Sequence, residues 1–473
     1  MADTLHPDKL QSDPVLRDGT HLSDLIDMDM REVKMRVLSD PDLYEIEMKK
    51  VFARCWLLVG HESEIPNKGD FIQRDMGSDS VIVAKDAKGD IHVSLNVCPH
   101  RGMRITTLES GNANSHVCIY HGWAFKPNGD FIGSPIASEC MHGTMRSKEE
   151  LGLRKARVAI WGGLIFATFD QDGPSFEEFM GDAKWYFDTL FDRTDSGMEL
   201  LGPPQRFNIR ANWKTACEQS AADGFHTLTL HRWLAEVGPY AKKPDAEGKG
   251  GDLSPEMYGC EVWTDHGHAL RCIELDRKIA RLTGKDPDTL TVEEKLTALP
   301  PPGITREMVP ELLRRFSKDQ LEVMAWRPPQ VGGFFPNGLF EFIYLPQPDG
   351  TIVGAMALHV YVPKGPDKLE FTNYIFAERD TPPELKAKML RLSIQMLGTS
   401  GLVEQDDSDT WPHQTLAAKG AVSKDITLKY QACYDNKGPE NWPGPGHVGE
   451  GFTKDDTQWA WWRYYHELMT APD

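Results

Sequence analysis

Two short stretches of this chain offer four metal-binding side chains. Cys98-Pro99-His100-Arg101-Gly102 is followed by Cys118-Ile119-Tyr120-His121-Gly122-Trp123. Two thiolates and two imidazoles suit a tetrahedral zinc ion, and they also suit a [2Fe–2S] cluster of mixed cysteine–histidine ligation. Three features favour the cluster. A single residue separates Cys98 from His100, tighter than the spacing of zinc knuckles. Both stretches run into a glycine (Gly102, Gly122), which lets backbone N–H groups turn toward cluster sulfurs. The 17 residues between His100 and Cys118 suit a hairpin excursion, not a finger helix.

A cluster that only carries electrons needs about a hundred residues, so the remaining chain should hold what the electrons serve. Asn212-Trp213-Lys214, Glu218 and the run Asp223-Gly224-Phe225-His226-Thr227-Leu228-Thr229-Leu230-His231 form the best stretch. His226 and His231 stand five apart, which turns them about 140° from each other on a helix. A kink or helix end is therefore needed to aim both at one ion. The acidic run Glu404-Gln405-Asp406-Asp407-Ser408-Asp409 could add a carboxylate. Two histidines and a carboxylate from distant sequence make the facial triad of non-haem iron oxygenases, with coordination positions left open. Unrelated histidines and a solvated acidic helix face are the bland alternatives.

CPHRG and CIYHGW resemble the Rieske loops of the large (alpha) subunits of aromatic-ring-hydroxylating oxygenases. By that resemblance Cys98 and Cys118 are the thiolate ligands and His100 and His121 the imidazole ligands. Neither loop has the extra cysteine of respiratory Rieske proteins, which implies a low potential in the Rieske range of roughly −150 to +300 mV. Asp-x-x-His-x-x-x-x-His and the later Glu-x-Asp-Asp resemble the same family's catalytic domain. They imply His226, His231 and Asp407 as ligands of a mononuclear Fe(II), with Asp406 the competing carboxylate. Asp223, one turn before His226, is implied to hold that histidine and to meet His121 of a neighbouring subunit. Gln219 stands where several relatives have Asn near the iron. Leu397 and Val403 fall at pocket positions of the family. Phe225, Leu230, Asn337, Phe335 and Phe342 are further pocket candidates. No arginine is evidently aimed at a substrate carboxylate.

The elements that must position these groups follow from pattern and punctuation. Residues 1–40 are polar with little periodicity, and Asp40 precedes a capped helix. Strand patterns at 56–60, 71–74, 81–84, 91–97 and 158–169 are separated by turn signals such as Lys88-Gly89-Asp90 and Pro127-Asn128-Gly129-Asp130. Beyond Gly173-Pro174 come helical stretches at 175–192, a strand at 205–211 and a helix over 213–234. Residues 241–255 read as a mobile loop. A charged helical span covers 275–325, broken at Pro300–Gly303. Strands near 339–345, 352–362 and 369–377 alternate as a half-buried antiparallel sheet, and helices follow at 383–397 and around the final aromatic cluster, read as packing or subunit contact. The expected fold is α+β, in three segments. Residues 1–55 are the N-terminal part of a catalytic domain, 56–165 an inserted all-β Rieske domain, and 166–473 the catalytic domain, with a curved antiparallel sheet covered by helices.

Composition bounds the partners. The net charge of −19, from 71 acidic against 52 basic residues, argues against nucleic acid or an anionic membrane. Eight cysteines in 473 residues are no disulfide framework. The polar start MADTLHPDKLQSDP has no apolar signal region, and no run of 18 apolar residues exists, so a cytoplasmic location is expected. The resemblance implies the terminal oxygenase component of a multicomponent dioxygenase acting on a small aromatic substrate. Its cofactors are a Rieske [2Fe–2S] cluster and mononuclear Fe(II), with O₂ as co-substrate. Electrons come from NAD(P)H through a reductase and usually a ferredoxin. An associated small beta subunit (alpha3beta3) or an alpha trimer is implied. A Rieske monooxygenase or O-/N-demethylase on the same scaffold and a pure electron carrier are the alternatives.

Overall fold

The computed structural model describes residues 12–135, 147–236, 259–347, 351–398, 400–433 and 437–472. Cys140 and the loop expected at 241–255 lie outside them. The chain divides into two compact units, Phe52–Phe176 and a second made of Met1–Val51 with Glu177–Asp473.

The unit Phe52–Phe176 is built on short antiparallel sheets. One places Ile91–Leu95, Asp79–Lys85, Asp70–Met76 and Ser110–Asn112 side by side; a second joins Phe131–Gly133, Ala124–Phe125 and His116–Val117. A third pairs Arg157–Trp161, Leu164–Thr168 and Leu57–His61. Alternation drives the inward residues into one core, in which Phe71, Ile82, Trp123, Phe125 and Phe131 pack with Cys98 and Cys118.

The other unit centres on one antiparallel sheet, nine-stranded among the described residues. Met198–Leu200 and Gln205–Ile209 both flank Lys368–Glu378. Ile352–Gly365, Gly338–Pro346, Pro329–Phe334, Ala269–Ile273, Gly259–Trp263 and His447–Glu450 then follow in order. Cross-strand partners share a face of a sheet. Arg271, Val331, Glu341 and Ala357 are paired in one row, and Leu339 and His359 in the next. The helix Trp213–Gln219 lies on this face because Gly333 leaves room: a Cβ there would stand 2.8 Å from the Ser220 carbonyl oxygen.

Helices close the unit. Asp40 caps Pro41–Glu47, its carboxylate accepting from the backbone N–H of Asp42 (2.8 Å) and Leu43 (3.2 Å). The final helix, Asp456–Thr470, buries its aromatic residues within the unit; Trp461 packs on Trp213 and stacks on Tyr465. These helices meet at a buried charge network. Glu47 accepts from Trp213 Nε1 (2.6 Å), Lys214 Nζ (2.6 Å) and the Tyr465 hydroxyl (2.7 Å), with Glu47 and Lys214 fully buried. Glu47→Ala strands the Lys214 ammonium in the core, and this is expected to cost about 3–5 kcal/mol, read as a lowered urea midpoint.

The expected helix over 213–234 is instead three pieces: Trp213–Gln219, a 3₁₀ turn at His226–Leu228, and Arg232–Glu236. Ala222 takes a left-handed φ of 70°, which stops the first helix. Asp223 then opens a turn, its Oδ1 accepting from Phe225 N–H at 2.7 Å. No helix of the described residues is long and apolar enough to cross a membrane.

Candidate metal centres

The two cysteine loops fold alike. In the first, Cys98 N–H donates to the Met103 carbonyl (2.8 Å) and Gly102 N–H to the Cys98 carbonyl (2.9 Å). In the second, Cys118 N–H donates to Trp123 (2.8 Å) and Gly122 N–H to Cys118 (2.9 Å). Both closures need a left-handed residue, which Gly102 (φ 74°) and Gly122 (φ 71°) provide. Asn96 pins the base of the first loop, its Oδ1 accepting from Ile105 and Thr106 N–H at 3.0 Å each. The matched turns bury both thiols and leave His100 exposed and His121 half-buried, their rings 4.5 Å apart. Burial, and the neighbouring Cys118, push the Cys98 thiol up. Two neighbouring buried thiols and two imidazoles whose rings meet nearer the surface are the donor set that a [2Fe–2S] cluster of mixed ligation would take.

The broken helix supplies the second centre. Asp407 faces both imidazoles: its Oδ1 lies 3.8 Å from His226 Nε2 and its Oδ2 3.4 Å from His231 Nε2. The far ring nitrogens are held from outside, His226 Nδ1 by Asp223 Oδ2 (3.0 Å) and His231 Nδ1 by Asp406 Oδ2 (3.1 Å). Asp406 also accepts from Trp233 Nε1 at 2.7 Å. The two aspartates thus take different positions, Asp407 inner and Asp406 outer. The helix Glu404–Ala418 sets this by burying Glu404, Asp407 and Trp411 along one face.

Outer carboxylates fix the Nδ1–H tautomer and turn the Nε2 lone pairs inward. The ligating atoms of His226, His231 and Asp407 lie within 4.8 Å of one another. His231 Nε2 is buried without a hydrogen-bond partner. An orphaned imidazole nitrogen facing a carboxylate fits a metal ion bound by two histidines and one aspartate. Burial pulls His231 down, but Asp407 and Asp406 outweigh it and hold the ring above its usual range. Burial raises Asp407 and Asp223, yet their histidines and hydrogen bonds bring both below the ordinary carboxylate range.

A cleft opens on these side chains, walled by Gln219, Arg271, Glu341, Val403 and Trp411. Gln219 is fixed on both sides: its Nε2 donates to Asp407 Oδ1 (2.8 Å), and its Oε1 accepts from Trp411 Nε1 (2.7 Å). Arg271 Nη1 donates to the Asp223 carbonyl at 2.8 Å. Of the sequence-based pocket candidates, Gln219 and Val403 line the cleft. Phe225, Leu230, Asn337 and Leu397 are not among its lining residues. Asn337 spends its amide on the Tyr361 carbonyl (2.9 Å), Leu397 is wholly buried, and Phe225 is 39% exposed. Phe335 packs on Trp461 and Tyr464, and Phe342 on Phe191.

Sequence reasoning missed Glu341 and His359, whose ligating atoms lie with those of Glu404 within 4.8 Å of one another beside the cleft. The signal was one acidic residue interrupting the apolar run Gly338-Leu339-Phe340-Glu341-Phe342-Ile343. Burial, then the Asp407 charge, pushes Glu341 up to about 7. Burial drives His359 down to about 3.

Below the cleft, burial and then Asp223 push Glu218 up to about 8, although Tyr430 donates to its Oε1 at 3.0 Å. Its folded value exceeds the ordinary 4.5, so the native state holds a proton that the unfolded chain loses. Stability linked to Glu218 is therefore complete below pH 4.5 and lost as pH rises to about 8. Glu218→Gln is expected to flatten that fall, seen as a smaller drop in Tm across this window.

Residues 55–149 match the Rieske [2Fe–2S] domain, and residues 176–431 match the ring hydroxylating alpha subunit catalytic domain. The chain is 30% identical over 462 residues to the biphenyl 2,3-dioxygenase alpha subunit of Rhodococcus jostii (strain RHA1), covering 96% of this chain and 92% of that protein. It is 31% identical over 403 residues to the N,N-dimethyl phenylurea N-demethylase alpha subunit of Sphingobium sp. (strain YBL2), covering 84% and 83%. Among solved structures it resembles naphthalene 1,2-dioxygenase from Rhodococcus sp. bound to indole, with a TM-score of 0.80 and 31% identity, covering 93% of this chain and 94% of that one.

Proposed function

Since this chain belongs to the ring-hydroxylating oxygenase alpha-subunit family, an oxidoreductase family using a Rieske cluster and mononuclear iron, we propose the following division of labour among its residues. Cys98, His100, Cys118 and His121 hold the cluster. His226, His231 and Asp407 hold the iron, and Asp223 and Asp406 orient the two histidines. The observation that carries this reading is the convergence of two Nε2 atoms on Asp407, each ring fixed from outside by a separate aspartate.

With iron and cluster bound, the protein supplies dioxygen activation fed by single electrons that originate in NAD(P)H. The residues themselves bind, orient and screen. Gln219 holds Asp407 in place, Trp411 holds Gln219, and Val403 forms part of the wall against which an aromatic ring is seated. The reaction is cis-dihydroxylation of that ring. Membership in a multicomponent family implies partner components. We assign these as a reductase with or without a ferredoxin and a small beta subunit in an alpha3beta3 assembly, or an alpha trimer without one, and we place the protein in the cytoplasm.

Purified holoenzyme is expected to hold about three irons per chain, two in the cluster and one mononuclear. Supplied with a reductase, ferredoxin and NADH, it is expected to convert biphenyl or naphthalene to a cis-dihydrodiol carrying both atoms of ¹⁸O₂. Two irons per chain and no product mark an electron carrier; a phenol or a demethylated product marks the monooxygenase chemistry. Cys98→Ser is expected to bleach the visible cluster spectrum, and a normal Rieske spectrum in that variant would falsify the cluster assignment.

A further inference from the structure

Resting on the oxygenase reading above, we propose that the substrate carries an O–H or N–H group and that the Glu341 carboxylate receives it. A cleft meant for a bare hydrocarbon is best lined by apolar side chains. Here the sheet presents a carboxylate to it, in the row Arg271–Val331–Glu341–Ala357. Glu341 lines the cleft, yet its Oε2 is buried without a hydrogen-bond partner. Its one ion-pair neighbour among the described residues is His359 Nε2, at 3.9 Å and beyond hydrogen-bond reach.

The ring behind offers no relief. His359 is fully buried, and neither of its nitrogens has a hydrogen-bond partner. Glu404 Oε2 stands 3.8 Å from His359 Nδ1, and Glu404 Oε1 is also without a partner while lining the same cleft. Arg271, which also lines the cleft, gives its Nη1 to the Asp223 carbonyl and acts on Glu341 through its charge, without a hydrogen bond to it. Buried acceptors left unmatched are costly and are ordinarily answered by a donor. An arene ring cannot answer them; a hydroxyl or amino substituent can. Glu341 is accordingly a specificity residue that selects the substrate's substituent and sets which ring edge faces the metal side of the cleft.

The test uses matched pairs that differ in the donor: 2-hydroxybiphenyl against biphenyl, and indole against indene. Dissociation constants are measured calorimetrically on the holoenzyme under argon, and kcat/KM with electron supply, for wild type, Glu341→Gln and Glu341→Leu. Wild type is expected to favour each donor-bearing partner by about tenfold or more in both measures. Glu341→Leu is expected to reverse the preference toward the hydrocarbon, and Glu341→Gln, which keeps a carbonyl acceptor, to retain part of it. A Glu341→Leu protein that melts no earlier than wild type shows the change is not misfolding; an earlier melt leaves Glu341→Gln to decide by its intermediate ratio. Equal affinity within each pair, or a ratio unmoved in Glu341→Leu, overturns the proposal. A fourth metal per chain that disappears in Glu341→Leu also overturns it, because the carboxylate is then a ligand. Donor-selective binding with no oxygenated product from any of the four compounds leaves Glu341 as the selector and overturns the oxygenase reading instead.

Discussion

Asp407→Ala is expected to reduce oxygenated product to the detection floor while leaving the visible and EPR signals of the cluster at wild-type strength. Asp407 faces both inward imidazole nitrogens, at 3.8 and 3.4 Å. Removing it leaves two neutral donors and no anion for the iron. It also removes the acceptor that Gln219 Nε2 holds at 2.8 Å. Asp406→Ala is the control with a different expected size. It deprives His231 Nδ1 and Trp233 Nε1 of their shared acceptor, and outer-partner losses of this kind cost about 10–100-fold in affinity or activity. Iron analysis should show about one of three irons missing in Asp407→Ala. Full activity in Asp407→Ala alongside an inactive Asp406→Ala would reverse the roles of the pair.

Asp223→Asn is expected to keep both metals and yet slow re-oxidation of the reduced cluster by at least about 10–100-fold. Asp223 has two tasks on two oxygens: Oδ1 accepts from Phe225 N–H at 2.7 Å, and Oδ2 from His226 Nδ1 at 3.0 Å. Asparagine has one acceptor, so one of those contacts becomes donor against donor and the charge behind His226 is lost. The family resemblance further implies that the same carboxylate meets His121 of a neighbouring subunit, the short route for an electron from cluster to iron. A single-turnover measurement on pre-reduced enzyme with substrate and O₂ reads this step directly. Unchanged iron content and melting temperature separate a lost route from a lost site. Wild-type re-oxidation in Asp223→Asn means the electron travels elsewhere.

The Rieske domain was legible in sequence because its two cysteine loops are tight turns whose shape depends on near neighbours and two glycines. The mononuclear centre was legible only in part. That a break must fall between the helix start and His231 followed from the angle between the histidines. Its place did not, because Ala222 in a left-handed conformation carries no signal in residue type. The choice between Asp406 and Asp407 depends on the phase of the helix Glu404–Ala418. Adjacent helical residues point about 100° apart, and only packing of Trp411 and Glu404 fixes which one turns inward. The pocket candidates fared differently again. Asn337, Phe335 and Phe342 have the residue types of a pocket wall, but hydrogen bonding and aromatic packing engage them elsewhere. Glu341 lay hidden in a strand whose neighbours all read as core.

The discontinuous build of the catalytic unit bears on how a working molecule is made. Phe52–Phe176 is one unbroken stretch and can close its core as soon as it clears the ribosome. The iron site proposed above has no such independence. His226 and His231 are synthesised long before Asp407. The turn that carries them is pressed from behind by a late segment: a Cβ on Gly224 would meet the Phe452 carbonyl oxygen at 2.3 Å, and Gln458 Nε2 donates to the Ala221 carbonyl at 3.0 Å. At synthesis rates of about 5–20 residues per second, the nascent chain spends on the order of tens of seconds with a finished cluster unit and an open histidine pair. The order of synthesis thus lets the cluster unit form first, and it leaves the histidine turn without its Phe452 and Gln458 contacts until that late segment emerges.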